Sequence, residues 1–198
     1  MANLKVARLG HPVLRELSRP VEPQELQSDE IQRLIDDMIE TMREQDGVGL
    51  AAPQVHCPLR LVVYEILPEN PRYPKAGECG LRVLVNPKVE PLGEELELDW
   101  EGCLSIPGLR GVVPRAMRVK VEALDRQGQP VSFEAERFES RVVQHEIDHL
   151  NGIVYLDRMA DLQTLCYQEE CMRHWIVDEE DDDEEAEEPH MERSVAEE

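Results

Sequence analysis

The chain has 198 residues with a formal net charge of −22, and its length and 41% hydrophobic content fit one domain with its own core. No apolar run approaches the roughly 20 residues that a membrane-spanning helix needs, and Met1 to Ser18 lack the apolar block of a secretory signal. We therefore expect a soluble, cytoplasmic protein without membrane contact, and the acidic charge argues against nucleic acid as a primary ligand.

The first third of the chain predicts an extended arm followed by a helix. Residues 9–23 contain three prolines and predict an extended arm over the core. Residues 29–45 predict a helix, because apolar side chains recur at helical spacing at Ile31, Leu34, Ile35, Met38, Ile39 and Met42. Asp29 is expected to cap this helix, with Gln32 three residues later, and Gly47 to end it.

Short β-rich runs come next, at residues 60–65, 82–86 and 118–124. The last run is expected to pair with residues 131–137 as a hairpin, because Gly128 and Pro130 lie in the connection. Residues 90–99 are acidic with alternating leucines and predict an edge strand.

Two more helices are predicted, over residues 139–150 and 161–176. Asn151-Gly152 would end the first, and the second would carry one apolar stripe of Leu162, Leu165, Cys166, Met172, Trp175 and Ile176. The pattern as a whole predicts an α+β fold, with short, mostly antiparallel β-sheets around a central helix and further helices near each end of the domain.

The acidic charge is concentrated at the end of the sequence. Residues 178–198 contain thirteen acidic residues and one basic residue, Arg193, a net of −12. A segment that repels itself and has little to bury is expected to be a disordered, solvating tail, with an interaction tail as the alternative. We therefore expect a catalytic domain over residues 1–177 and an acidic tail over 178–198.

The five cysteines are odd in number and form no CxxC pair. Without an export signal, a disulfide framework is not expected. Each cysteine is therefore either a small buried hydrophobe or a metal-binding or catalytic thiolate.

The strongest chemical signal is the HExxH pattern of His145, Glu146 and His149. On a helix the two histidines lie one turn apart on the same face, so both rings can bind one metal ion. Glu146 follows the first ligand, where a carboxylate can exchange protons with a water on the metal. The alternative is an ordinary helix with two surface histidines.

A catalytic metal site usually has three protein ligands, so a third is needed. A histidine ten residues after His145 is ruled out, because that position is Tyr155. Glu169, in a segment predicted to be helical, is one candidate. Cys103 is favoured over it, because Cys103 lies in a turn bounded by Gly102 and Pro107 and a thiolate is a strong ligand for a borderline divalent ion.

A run of small residues, Gly47-Val48-Gly49-Leu50-Ala51-Ala52-Pro53-Gln54, follows the first long helix. Such a segment leaves backbone N–H and C=O groups open to a ligand, and Gln54 adds an amide donor. A tight turn with a small-residue packing contact explains the pattern equally well.

Together these segments resemble the peptide deformylases, a family marked by GxGxAAxQ, EGCxS and QHExDH. Here they are the run ending at Gln54, then Glu101-Gly102-Cys103-Leu104-Ser105, and then Gln144-His145-Glu146-Ile147-Asp148-His149. The start, His11-Pro12-Val13-Leu14-Arg15, is also similar, and the resemblance covers roughly residues 5–160.

The resemblance implies removal of the formyl group from the N-terminal formylmethionine of new polypeptides, with release of formate. It also implies that Cys103, His145 and His149 hold the metal. The family usually uses ferrous iron, and zinc, nickel or cobalt can occupy the same site. Hydroxide formed at the metal would attack the formyl carbon, with Glu146 as general base and then general acid.

By the same resemblance, the Gln54 amide and the Leu104 backbone N–H would stabilise charge on the formyl oxygen. Val48 and Val142 would line the methionine pocket, and the substrate would lie as an added strand along Gly49. Nascent formylated polypeptides are the expected partners. Some family members dock on the ribosome through a basic C-terminal helix, but the acidic end of this chain would be repelled by rRNA, so any ribosome contact is expected to be transient.

Overall fold

The computed structural model describes residues 3–68 and 78–175, and it confirms the predicted α+β class. The helices are α1 (Pro23–Leu26), α2 (Asp29–Glu44), α3 (Arg137–Leu150) and α4 (Gln168–His174). The strands are β1 (Gly49–Ala51), β2 (Leu61–Ile66), β3 (Cys79–Pro91), β4 (Leu96–Cys103), β5 (Ile106–Ala116), β6 (Arg118–Leu124), β7 (Pro130–Glu136) and β8 (Cys166–Tyr167). Single 3-10 turns form at Pro12–Arg15, Ala52–Val55, Tyr155–Asp157 and Leu162–Thr164.

The strands form two antiparallel sheets. The larger has the order β1-β2-β3-β6-β7, and the smaller has the order β4-β5-β8. The predicted hairpin is confirmed, since β6 and β7 pair in unbroken register from Arg118 opposite Glu136 to Leu124 opposite Pro130. α3 contacts both sheets, as expected for the central helix.

The larger sheet is covered by α2 on one face and by α3 on the other. Successive side chains of a strand point to opposite faces, and β2 divides in this way. Leu61 and Val63 join the cluster that contains α2, whereas Val62 and Tyr64 join the cluster that contains α3. Because both faces are buried, β2 is almost wholly apolar, and the sheet holds α3 in a fixed position.

The predicted ends of α2 were wrong in detail. Ser28 caps the helix, because its Oγ accepts a hydrogen bond from the backbone N–H of Ile31 at 3.3 Å. At the other end Asp46, with a φ of 51°, takes the left-handed conformation. The following Gly47 N–H donates to the Met42 carbonyl at 2.9 Å, which satisfies a terminal C=O group.

The edge strand predicted over residues 90–99 is confirmed only for residues 96–99, which begin β4 at the edge of the smaller sheet. β3 continues to Pro91, the chain turns at Gly93, whose φ is +98°, and β4 begins at Leu96 in the other sheet. The segment therefore joins the two sheets and directs β4 toward Cys103.

The long helix predicted over residues 161–176 does not form. Asp161 accepts a hydrogen bond from the Gln163 backbone N–H, which closes a 3-10 turn, and Cys166 then pairs with Arg110 of β5. Only the short α4 follows, and within it Cys171 is the buried residue. The predicted stripe is not a core face, because Leu162 is 68% exposed and Trp175 is 63% exposed.

The predicted acidic tail, residues 178–198, lies outside the described residues, as do residues 176 and 177 of the predicted catalytic domain. In the part of the chain that the structure describes, no helix combines the length and the apolar character needed to cross a bilayer.

Candidate active site

α3 presents the two histidines of the HExxH pattern on one face. His145 and His149 are both buried, and their ring centroids lie 5.1 Å apart. This follows from helical geometry, since residues four apart stand one above the other. The helix is anchored on the sheets through Val143 and Ile147, so the rings cannot turn away from this face without disturbing the core.

Cys103, the last residue of β4, meets these histidines. Its Sγ lies 3.3 Å from His149 Nε2, and the ligand atoms of Cys103, His145 and His149 all lie within 4.8 Å of one another. In a tetrahedral site, two ligand atoms at about 2.0–2.3 Å from the ion stand about 3.3–3.8 Å apart. The Cys103–His149 separation already meets this range, and the others, at most 4.8 Å, reach it with a shift of about 1 Å. One thiolate and two imidazoles are also a donor set that borderline divalent ions accept. The three residues therefore fit one metal ion.

Glu101 orients the first of these histidines from the opposite side. His145 Nδ1 lies 2.8 Å from Glu101 Oε2, so the ring donates from Nδ1 and keeps Nε2 for a metal. Arg115 binds the same carboxylate through two hydrogen bonds of 2.8 and 3.0 Å, and Arg141 adds a third of 3.0 Å. All four groups are buried, so the charges are compensated inside the protein.

Asp148, between the two histidines on α3, extends this network. It accepts hydrogen bonds from Arg115 at 2.6 Å and from Arg158 at 2.7 Å. The metal-binding helix is thereby tied to β5 by a buried ion pair, and to the segment after the helix by a half-exposed one.

The electrostatics of the two histidines differ. Burial alone would lower the pKa of His145, but hydrogen bonds with Cys103 and Glu101 outweigh it and raise that pKa well above its usual value. These partners favour a cation at this position, and a metal ion on Nε2 would take the place of the ring proton. Burial, reinforced by the charges of His145 and Arg115, lowers the pKa of His149 well below its usual value. Its ring is neutral, which is the form that binds metal.

Glu101 stays ionised because its hydrogen-bond partners outweigh the effect of its burial. Burial alone would raise the pKa of its carboxyl, but hydrogen bonds from His145 and Arg115 lower the pKa well below its usual range. An ionised carboxylate is the partner that a donating imidazole needs.

Glu146 faces the catalytic cavity with one oxygen free for chemistry. Its side chain is buried, and Oε2 has no hydrogen-bond partner among the described residues. Burial raises the pKa of this carboxyl to about 7. Gly49 on β1 makes room for it, since a Cβ at Gly49 would lie 2.8 Å from Glu146 Cγ and Cδ. This close contact between Gly49 and Glu146 is the small-residue packing contact that the second interpretation of the run proposed.

Gln54 lies in the 3-10 turn after β1 and is 1% exposed. Its Oε1 accepts from the Ala51 N–H at 2.9 Å, and its Nε2 donates to Cys103 Sγ at 3.4 Å and to Ser105 Oγ at 3.2 Å. The amide hydrogens are therefore directed toward the predicted metal group by the turn itself.

The N-terminal arm fastens the two segments that carry these groups. The Ala7 N–H donates to the Gln54 carbonyl at 2.7 Å, and the Leu9 N–H donates to the Ser105 carbonyl at 2.8 Å. The arm predicted over residues 9–23 is not extended throughout, because the chain turns at Gly10, whose φ is +99°, forms the 3-10 turn at Pro12–Arg15 and enters α1 at Pro23.

One cavity of about 260 Å³ is lined by the catalytic and ligand residues Gln54, Cys103, His145 and Glu146. The residues predicted to bind substrate, Val48, Gly49 and Val142, all line it, as does Leu104. Arg141 is buried and also lines the cavity. The structure thus brings the favoured site residues to one place.

The alternative third ligand, Glu169, is not brought to the site. It lies exposed on α4, and in the described ranges the one group of three or more side chains able to hold a metal is Cys103 with His145 and His149. The five cysteines all lie in the described residues and none forms a disulfide, as predicted.

Sequence reasoning gave no role to Glu101, Arg115 or Asp148. Glu101 and Asp148 stand inside the quoted motifs, which is a signal that could have marked them. Nothing in the sequence near Arg115 indicates its role. Its guanidinium reaches Glu101 because β4 pairs with β5, where Glu101 faces Gly111.

Comparison with known proteins gives one consistent family. A family model described as polypeptide deformylase matches residues 3–165. Peptide deformylase 1 of Bordetella pertussis (strain Tohama I) is 46% identical over 164 residues, which cover 83% of this chain and 92% of that protein.

Solved structures agree. A Met-Ala-Ser-bound class I type b peptide deformylase from Acinetobacter baumannii superposes with a TM-score of 0.76 at 43% identity, over 80% of this chain and 99% of that one. A peptide deformylase from Synechococcus elongatus in complex with actinonin gives a TM-score of 0.71 at 36% identity, over 81% of each chain.

Proposed function

The chain belongs to the polypeptide deformylase family, and from this premise we propose that Cys103, His145 and His149 hold its metal ion and that Glu146 carries the proton. The enzyme is a metal-dependent hydrolase that removes the N-formyl group from formylmethionine at the start of new polypeptides and releases formate. The residue roles are supported by the geometry of the cavity.

A divalent ion held by Cys103, His145 and His149 would supply a lower pKa for a bound water, toward about 7, and would polarise a carbonyl oxygen. Glu146 accepts the proton of the attacking water on its unpartnered Oε2 and later returns a proton to the leaving amine. Glu101 holds the His145 ring by its Nδ1 and keeps Nε2 directed at the ligand group.

Gln54 and Leu104 stabilise the charge that develops on the formyl oxygen. The Nε2 contacts of Gln54 with Cys103 and Ser105 are long, so a negatively charged oxygen competes well for the same hydrogens. The Leu104 backbone N–H, directly after the thiol ligand, supplies the second donor. Loss of one such donor typically costs about 3–4 kcal/mol of barrier.

The substrate lies against small and apolar residues. Val48 and Val142 line the cavity beside Glu146 and suit a methionine side chain. Gly49 lies on β1, which pairs on one side with β2, so its other side can receive the substrate backbone as an added strand. Such binding depends on the peptide backbone, and therefore many nascent chains can be accepted.

The observation that carries these assignments is the convergence of three ligand atoms with Glu146 and Gln54 on one cavity. The test is formate release from a formyl-Met peptide by metal-loaded protein. Glu146→Ala is expected to abolish release with its metal content intact. Release at the wild-type rate by Glu146→Ala would overturn the role of Glu146.

Cys103→Ala tests the ligand set against a metallopeptidase-like set with Glu169. It is expected to lose the metal, whereas Glu169→Ala is expected to keep it. The reverse result would contradict the proposed site.

We propose ferrous iron as the working ion, because the donor set accepts iron, zinc, nickel and cobalt and the family usually uses iron. Metal analysis of anaerobically purified protein tests this. We further propose that residues 1–177 form the catalytic domain, that the enzyme acts in the cytoplasm, and that acidic residues 178–198 keep its ribosome contact transient.

A further inference from the structure

The β8–α4 segment, Cys166–Trp175, follows the region matched by the family model and forms one wall of the catalytic cavity. Cys166 and Tyr167 pair with Arg110 and Leu109 of β5. Gln168, the next residue, lines the same cavity as Glu146. A segment outside residues 3–165 therefore contributes a polar side chain to the cavity in which the reaction occurs.

This wall is held in place by packing. Cys171 of α4 is fully buried, and the Trp175 ring lies 6.2 Å from the Trp100 ring, measured between centroids. Trp100 itself lines the cavity. Gln168 thus has a fixed position relative to β4 and β5.

Strand pairing places Gln168 on the β5 wall of the cavity. β5 bulges between Ile106, the partner of Cys103, and Gly111, the partner of Glu101. Cys166 and Tyr167 pair with Arg110 and Leu109 inside this bulge, so Gln168 follows beside Gly108. Gly108, Leu109 and Gln168 line the cavity on this side, whereas Val48, assigned above to the methionine pocket, comes from the segment before β1. Gln168 is therefore on a different wall from the methionine pocket and within reach of the substrate residues that follow methionine.

We propose that Gln168 binds the backbone of the second or third residue of the formylated substrate, which makes the β8–α4 segment a determinant of substrate length. A primary carboxamide offers both a donor and an acceptor, the same pair that a peptide group presents. Gln168 therefore favours longer peptides with little regard to their sequence. This inference rests on the proposed function, because it takes the reaction to occur at Cys103 and Glu146.

The first test is a substrate length series of formyl-Met amide, formyl-Met-Ala and formyl-Met-Ala-Ser, with KM measured by formate release. In the wild type, KM is expected to fall as the peptide lengthens. Gln168→Ala is expected to raise the KM of the tripeptide relative to that of formyl-Met amide by about 3- to 10-fold, the value of one hydrogen bond. Gln163→Ala, the same substitution at an exposed position outside the cavity, serves as the control.

An unchanged KM ratio in Gln168→Ala would overturn the inference, and so would equal losses for all three substrates. Either result, with wild-type formate release intact, leaves the proposed function standing. No formate release by the metal-loaded wild type would instead overturn the proposed function.

A second test uses fluorescence. The chain has two tryptophans, and both lie in this region at Trp100 and Trp175. The product peptide Met-Ala-Ser is expected to change tryptophan emission, methionine amide is expected to leave it unchanged, and Gln168→Ala is expected to weaken the tripeptide's binding. Emission that responds equally to both ligands would contradict the placement of Gln168.

Discussion

Gly49→Ala tests how closely β1 fits the carboxylate of Glu146. The added Cβ would lie 2.8 Å from Glu146 Cγ and Cδ, whereas ordinary contacts begin at 3.4 Å. Glu146 Oε1 would lie closer still, so Glu146 must retreat by about 0.6 Å at Cγ and Cδ and by about 1 Å at Oε1. A misplacement of about 1 Å in an active site costs about 100-fold in rate. The φ of Gly49 is not positive, so the backbone itself tolerates alanine.

We expect kcat to fall at least about 100-fold, or about 2.7 kcal/mol of barrier, and at most by the roughly 10⁴-fold that proton transfer contributes. Metal content is expected to stay at the wild-type value, because the three ligands are untouched, whereas overpacking beside buried Glu146 lowers the free energy of unfolding by about 1–3 kcal/mol. Gly80→Ala is the matched control, since Gly80 also lies in a strand and its Cβ would meet nothing within 4 Å.

Formate release, metal analysis and a thermal melt on the same preparations give the three readings. If Gly49→Ala acts by displacing Glu146, the double variant Gly49→Ala/Glu146→Ala should have the same kcat as Glu146→Ala alone. A lower kcat in the double variant would indicate a loss of substrate binding instead. Wild-type kcat in fully metal-loaded Gly49→Ala would refute the reasoning.

Two further substitutions test the buried charges. Glu101→Gln should weaken metal binding about 10- to 100-fold, measured by competition with a chelator, because the partner that orients His145 loses its charge; unchanged affinity would count against that role. Asp148→Asn should lower the free energy of unfolding by about 3–5 kcal/mol in urea, because it leaves buried Arg115 short of a partner. Arg118→Ala, whose ion pairs are exposed, should cost at most about 1 kcal/mol, and equal losses in the two variants would contradict this account.

Features that depend on local spacing were predictable from the sequence. The paired histidines of α3 follow from a separation of four residues on a helix, and the β6–β7 hairpin follows from Gly128 and Pro130 between two β-rich runs. The turn around Cys103 and the chemistry of a thiolate already favoured it over Glu169, and the three deformylase motifs supported the same residue. Its approach to the histidines spans two secondary-structure elements.

Features that depend on pairing between distant segments were not predictable. Residues 161–176 carry apolar side chains at helical spacing, yet Cys166 pairs with Arg110, and that pairing ends any helix there. The charge network around Glu101 likewise needs β4, β5 and α3 to meet, and no spacing along the chain signals that meeting.

X-ray absorption at the metal edge of zinc-loaded protein tests the central claim most directly. We expect one sulfur at about 2.3 Å and two imidazole nitrogens at about 2.0–2.1 Å, the same spectrum in Cys57→Ala, and no bound zinc in Cys103→Ala. A wild-type spectrum without a sulfur neighbour would contradict the account.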